Sequence, residues 1–77
     1  MDIGKLRVGD VLIAVRNTVL RSMPGPTQRD PQKIHKGEQA CVYKIVITDW
    51  ALEVWVTTDI DSEIRILQPA DWDKYEV

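Results

Sequence analysis

The chain has 77 residues, 44% of them hydrophobic, and a formal net charge of −2 at pH 7. This length predicts one domain spanning residues 1–77. No apolar run approaches the roughly 18 residues that a membrane-spanning helix requires, and the N-terminus lacks the hydrophobic segment of a signal peptide. We therefore expect a soluble, cytoplasmic domain.

One cysteine and one histidine limit the chemistry that the chain supports. Cys41 has no second cysteine with which to form an internal disulfide. Cys41 and His35 together fall short of the four ligands of a structural zinc site. We expect no cofactor and no bound metal.

The charges are distributed unevenly along the chain. Residues 1–48 hold eight Lys and Arg and four acids, whereas residues 49–77 hold two basic residues and eight acids. The first part is therefore +4 and the second −6. Such asymmetry can steer charged partners, unless the two sets interleave on folding.

The first half of the chain predicts one strand followed by a long loop. Residues 11–15 are a continuous apolar run that follows Gly9-Asp10, which favours a strand covered on both faces. Val19-Leu20 extends this strand after a bend. Residues 22–36 contain three prolines and a glycine, which predict a loop of about 15 residues. A turn at residues 36–38 ends the loop.

The second half predicts four more strands and one helical turn. The strands span residues 41–48, 50–58, 63–67 and 75–77, with a tight turn at 59–62. Pro69 begins a single helical or 3₁₀ turn before the last strand. We expect Trp72 and Tyr75 in this segment to be core residues that close one end of the barrel. Five short strands of this kind predict a small closed barrel, which has no exposed sheet edge. An SH3-like barrel is the most economical choice at this length, and an OB-like barrel is the alternative.

Three segments resemble the small SH3-like β-barrel proteins often encoded by bacteriophages and prophages. They are Val8-Gly9-Asp10-Val11-Leu12-Ile13-Ala14, Lys36-Gly37-Glu38 with the apolar residues that follow it, and Asp71-Trp72-Asp73-Lys74-Tyr75. Ala40 stands where that group usually has an aromatic residue, and the 22–36 loop is longer and richer in proline. The resemblance implies a fold and a phage-type source, and hence a location in the host cytoplasm.

Catalysis and metal binding find little support in the residues. There is no phosphate-binding loop and no Gly-x-Ser-x-Gly motif. A nucleophilic pair of Cys41 and His35 would lack an orienting acid. The alternating acids Asp59, Asp61 and Glu63 lack the glycine and the spaced glutamate of a calcium loop. We therefore expect a protein that is not an enzyme.

The alternation along residues 52–57 indicates an exposed aromatic surface. If Leu52, Val54 and Val56 face the core, then Glu53, Trp55 and Thr57 face outward. If Val42 faces the core, Tyr43 faces outward beside Trp55. The spacing of Val42 and Ile45 suggests a β-bulge within residues 44–46. Exposed aromatic surface of this kind is typical of protein contacts or homodimer interfaces. The 22–36 loop could instead fold back over it.

These patterns leave three functional hypotheses. The first is a non-enzymatic protein-interaction module, which on the phage resemblance would bind and modulate a host protein. Its contact residues would be Trp55, Tyr43, Glu53, Thr57, Met23, Pro24 and Arg29. The second is nucleic-acid binding through Arg16, Arg21, Arg29, Lys33 and Lys36, which a pI of 5.2 opposes. The third is an acidic mimic of nucleic acid that inhibits a nucleic-acid enzyme.

Overall fold

The computed structural model describes residues 2–23, 25, 30–59 and 63–77. It contains one antiparallel sheet in the order β3-β2-β6-β5-β4-β1-β7, which curls into a half-barrel. The strands are β1 (Val11–Ala14), β2 (Thr18–Ser22), β3 (Gln32–Ile34), β4 (Gln39–Ile47), β5 (Leu52–Thr57), β6 (Arg65–Leu67) and β7 (Tyr75–Glu76). Two 3₁₀ helices, Ile3–Lys5 and Pro69–Lys74, stand near the two ends of the chain.

The strand count differs from the five expected. The expected first strand is divided, because the chain bends between Ala14 and Thr18 and then pairs with different neighbours. The expected loop over residues 22–36 is also interrupted by β3. This strand begins directly after Pro31, and it pairs with β2 only, so that it lies at the edge of the sheet. An edge strand needs backbone hydrogen bonds on one side only, which explains its tolerance of nearby prolines.

The expectation of a closed barrel is also wrong for the part of the chain described. The sheet ends at β3 on one side and at β7 on the other. These two edge strands have three and two residues. Very short edge strands are one way in which proteins limit edge-to-edge aggregation, so the sheet avoids that hazard without closing.

The core lies on the concave face of the sheet and follows the alternation expected from the sequence. Its buried residues are Leu6, Leu12, Ala14, Leu20, Ile34, Ala40, Val42, Val54, Val56, Leu67 and Tyr75. Leu52, expected in the core, is only half-buried. Ala40 fills a fully buried position, so the core accommodates a small residue there.

The C-terminal segment closes one side of the core, as expected. Pro69 begins the 3₁₀ helix, and Tyr75 follows it with no exposed surface. Trp72 packs against the core and donates its indole N–H to the Leu67 carbonyl at 3.1 Å. Burial raises the pKa of Tyr75 to about 12; the Thr18 hydroxyl opposes this rise, and the Asp71 carboxylate adds to it.

Arg65 is the one arginine of the described residues that lies in the buried layer. Its guanidinium lies 3.5 Å from the Glu63 carboxylate and donates to the Asp30 carbonyl at 3.4 Å. Because Asp30 stands just before β3, Arg65 ties the beginning of this edge strand to β6. A buried guanidinium held by several acceptors is costly to disturb.

Candidate protein-docking surface

A β-bulge at Tyr43 shapes the convex face of the sheet. Val42 pairs with Val56 and Lys44 pairs with Trp55, so that Tyr43 is an extra residue in β4. In a bulge, two residues oppose one on the partner strand. Tyr43 and Lys44 therefore both stand opposite Trp55, and both are exposed. The bulge suggested by the Val42–Ile45 spacing is confirmed, but its extra residue is Tyr43 and not one of residues 44–46.

The indole of Trp55 is held from two sides. Its Nε1–H donates to Glu53 Oε2 at 3.2 Å. The Lys44 ammonium lies 5.2 Å from the centroid of the indole ring, within the range of a cation–π interaction. Trp55 is half-buried, so part of the ring remains open to a partner while its orientation is constrained.

A row of four side chains crosses the convex face at this level. Arg21 pairs with Ile66, Ile66 with Trp55, and Trp55 with Lys44, across strands β2, β6, β5 and β4. Directly paired residues of an antiparallel sheet project to the same face. We call these four residues and Tyr43 the outer row. Its centre is apolar, and each end carries a cation.

Further apolar residues continue the convex face beyond the outer row. Cys41 pairs with Thr57 on one side and with Val11 on the other. Val11 and Ile13 are 43% and 40% exposed. The sequence predicts that the first strand is covered on both faces. Within the described residues, however, these two side chains remain exposed.

The residues expected to bind a protein are only partly brought together. Tyr43 is 51% exposed, and Trp55, Glu53 and Thr57 are half-buried on the same convex face. Met23 is half-buried just after β2. Pro24 and Arg29 lie outside the described residues, as does most of the loop segment proposed to cover this face.

The residues of the nucleic-acid hypothesis are divided between two places. Arg21 is part of the outer row, and Lys33 pairs with Val19 on β2. Arg16 and Lys36 lie at two turns that meet, because the Lys36 amide N–H donates to Asn17 Oδ1 at 2.9 Å. Arg29 is outside the described residues.

The ion pairs do not interleave the basic and acidic halves of the chain. Those formed between described residues join Lys5 to Asp2, His35 to Glu38, Arg65 to Glu63 and Lys74 to Asp71, each within its own half. The cations at positions 16, 21, 33, 36 and 44 therefore have no ionic partner within the described part of the chain. The sheet nevertheless interleaves the two parts of the chain, because β5 and β6 of the acidic part lie between β2 and β4 of the basic part.

The residues considered for catalysis differ from the expectation in one respect, because His35 does have an acid beside it. His35 Nδ1 lies 2.8 Å from Glu38 Oε1, and Cys41 lies exposed on the convex face between Thr57 and Val11. Among the residues described, no group of three or more His, Cys, Asp and Glu is arranged to hold a metal ion. No helix in this part of the chain is long and apolar enough to cross a membrane.

Sequence reasoning missed three features of this surface. Lys44, Ile66 and Arg21 belong to the outer row only because of the strand order, which alternation within one strand does not reveal. Trp50, the first residue of the strand expected over 50–58, lies instead at the tip of the β4–β5 hairpin and is 91% exposed, and Ile47 at the end of β4 is 79% exposed. The hydroxyl of Thr48 accepts the Trp50 and Ala51 amide N–H groups and fixes this tip.

Comparison with known proteins returns no match: no family model, no curated protein and no solved structure is similar to this chain. The resemblance to phage-type SH3-like proteins therefore stays a hypothesis.

Proposed function

We propose that this chain is a non-enzymatic protein-interaction module whose docking surface is the outer row. The observation that carries the proposal is the position of Trp55 at the centre of that row, flanked by Tyr43 and Ile66 and bounded by Arg21 and Lys44. An aromatic anchor with a polar rim is the usual anatomy of a protein interface. A tryptophan already held in one orientation also loses little conformational entropy on binding.

The charges of the outer row indicate the chemistry of the partner. Arg21 and Lys44 are exposed and have no ionic partner among the described residues, whereas the nearby Glu53 carboxylate already accepts the Trp55 indole N–H. Electrostatic complementarity favours a partner surface with an apolar centre and acidic residues around it. The partner class is therefore a protein with an acidic-rimmed apolar patch.

The resemblance to phage-encoded barrels extends this proposal. On that resemblance, we propose an SH3-like architecture and an accessory protein that binds and modulates a host protein. A second copy of the chain is the alternative partner, because the exposed Val11 and Ile13 lie on the same convex face.

Nucleic-acid binding is less well supported by the geometry. Base stacking requires an open aromatic face, and Lys44 covers one face of the Trp55 ring. The open ring of Trp50 stands at the opposite end of β4 from the basic residue Lys36. The acidic-mimic hypothesis is weakened because Asp71 is buried and bound to Lys74, and Glu53 is bound to Trp55. These carboxylates are not displayed as a regular array of phosphate-like charges.

Site-specific photo-crosslinking tests the proposal. A benzophenone amino acid in place of Tyr43 would be irradiated in an extract of the source cell. We expect one dominant crosslinked protein, which is lost in a Trp55→Ala background and in an Arg21→Glu/Lys44→Glu background. Lys36→Glu, which reverses one exposed charge away from the outer row, is the control and should retain the crosslink.

Two results would contradict the proposal. One is a crosslink that survives both outer-row backgrounds. The other is salt-sensitive binding of single-stranded or duplex nucleic acid that Arg21→Glu abolishes. A crosslinked dimer of this chain, supported by light scattering at the same concentration, would identify the partner as a second copy.

A further inference from the structure

A separate groove opens away from the Trp55 ring, at the end of the β2–β3 hairpin. Its volume is about 420 Å³, and its lining residues are Asn17, Thr18, Val19, Lys33, Ile34, His35 and Lys74. The last of these stands immediately before β7. The groove therefore lies between the hairpin that carries edge strand β3 and the segment that leads to the opposite edge. Its volume falls within the range of small-molecule sites.

The polar side chains that line the groove offer hydrogen-bond donors. Lys33 has no ionic partner among the described residues. The Lys74 ammonium donates one N–H to Asp71 Oδ1 at 2.9 Å, which leaves two of its three donors. Asn17 Oδ1 is occupied by the Lys36 amide N–H, so the Asn17 NH₂ group is left to donate. No carboxylate is among the lining residues.

The surroundings of the groove are also cationic. Arg16 and Lys36 flank it in the sequence, and neither has an ionic partner within the described part of the chain. Of the acids near the lining residues in the chain, Asp71 is paired with Lys74 and Glu38 with His35, whereas the exposed Asp73 beside Lys74 adds one negative charge. A concave site with several unneutralised cations concentrates anions from solution.

We propose that this groove is a binding site for a small phosphate ester. Lys33, Lys74 and the Asn17 amide would bind the phosphoryl oxygens of the ester. The less polar part of the ester would lie along Val19. A phosphoryl group presents three outer oxygens and up to two negative charges, which suits three donor side chains of which two are cationic. This inference is independent of the outer row, because none of its three ligand-binding side chains belongs to that row.

The ligand has two sources that share this chemistry, a free mononucleotide and the 5′-phosphate end of a nucleic-acid strand. The test is a titration followed by ¹⁵N–¹H correlation spectra of the full chain. The probes are adenosine 5′-monophosphate, adenosine, acetate, and a short oligonucleotide with and without a 5′-phosphate. We expect saturable shifts at residues 17–19, 33–35 and 74 with the monophosphate, and none with adenosine or acetate.

A matched pair of variants locates the interaction. Lys33→Gln should weaken monophosphate binding about tenfold, because it removes one charge-assisted hydrogen bond. Lys36→Gln removes the same charge from a residue that does not line the groove, and it should change the affinity less than twofold. The spectrum of each free variant shows whether it is folded.

Each outcome of these titrations either supports or overturns the proposal. If both variants weakened binding equally, the ligand would be attracted by the general positive charge of this surface and not by a specific site. That result would overturn the proposal. Binding of adenosine alone, or of acetate as tightly as the monophosphate, would overturn it too. An oligonucleotide that shifts the same residues only when 5′-phosphorylated supports the proposal and identifies a strand end, whereas binding of the mononucleotide alone supports a free ligand.

Discussion

The Lys44 ammonium lies 5.2 Å from the centroid of the Trp55 indole ring, directly across the strand pair β4–β5. The β-bulge at Tyr43 brings this contact about, because it inserts an extra residue and places both Tyr43 and Lys44 opposite Trp55. The contact orients the one tryptophan at the centre of the outer row.

The Lys44–Trp55 contact should be measurable as a coupling energy. In a double-mutant cycle with Lys44→Ala and Trp55→Leu, we expect about 0.5–1 kcal/mol of interaction, as for exposed cation–π pairs. Urea unfolding followed by circular dichroism supplies the four stabilities. Arg16→Ala with Trp55→Leu is the control cycle, and its coupling should be close to zero. Additivity of the Lys44 and Trp55 changes would contradict the contact.

Deletion of Tyr43 should be tolerated by the fold. Without it, Val42 and Ile45 are separated by Lys44 alone, so both still face inward and regular alternation is restored. We expect a folded protein that is destabilised by less than about 3 kcal/mol. Dispersed amide signals and a cooperative unfolding transition would verify this.

Deletion of Trp55 is the matched control for the bulge. This residue lies in the regular partner strand, where Val54 and Val56 would become adjacent and one of them would turn outward. Both side chains are fully buried in the native protein, so the variant should not fold. If the two deletions had equal effects, the proposed role of the bulge in setting the face of each side chain would be wrong.

Tyr75 should make the protein less stable in alkali. Its pKa is raised by burial to about 12, whereas in the unfolded chain a tyrosine ionises near pH 10. The unfolded state therefore loses a proton first as the pH rises above about 10, and the free energy of unfolding falls across this window. Urea unfolding at pH 9, 10 and 11 should show a steeper fall for the native chain than for Tyr75→Phe. Tyr43→Phe should retain the steep fall.

Glu38 should stabilise the β3–β4 turn above its own pKa. Its carboxylate accepts the His35 backbone N–H at 2.6 Å and contacts His35 Nδ1. These interactions, the backbone hydrogen bond first, lower the pKa of Glu38 from its ordinary value of 4.5. The stabilisation by the ionised Glu38 is therefore fully present above pH 4.5, and it is lost as the pH falls through the lower pKa of the folded state. The His35 amide chemical shift should follow this titration, and Glu38→Gln should abolish it.

Thr48 should contribute to stability, while the exposed Trp50 beside it should not. Thr48 Oγ1 accepts the Trp50 and Ala51 amide N–H groups at 3.4 and 3.0 Å. We expect Thr48→Ala to cost about 1 kcal/mol, as for the loss of other side-chain caps. Trp50 is 91% exposed, so Trp50→Ser should change stability by less than about 0.5 kcal/mol. Thermal or urea unfolding of both variants decides this, and a larger effect of Trp50→Ser would contradict it.

Local pattern was sufficient to predict several parts of the fold. The alternation Leu52, Val54, Val56 identified the inward face of β5, and Val42 with Ile45 indicated the bulge. Pro69 and the aromatic residues after it predicted the final 3₁₀ turn and the buried Tyr75. Each of these signals arises from neighbours along the chain, because side chains two residues apart in a strand share a face.

The failures of prediction concern relationships between distant segments. The three residues of β3 carry too little signal on their own, and they form a strand only because β2 provides a pairing edge. The number of strands and the openness of the sheet depend in the same way on which edges meet. The outer row combines residues from four strands, so neither Ile66 nor Arg21 was recognisable beside Trp55.

The sequence by itself determined the mostly-β class, the inward and outward faces of its longest strands, the outward side of Tyr43 and Trp55, and a basic first part of the chain. Only the tertiary structure decided that seven strands form an open half-barrel, that Lys44 and Glu53 hold Trp55, and that Lys33 and Lys74 share a groove. The pairing of distant strands sets the strand count and the Lys44–Trp55 contact. Lys33 and Lys74 are 41 positions apart in the chain, and it is the curl of the sheet that brings them to line one groove.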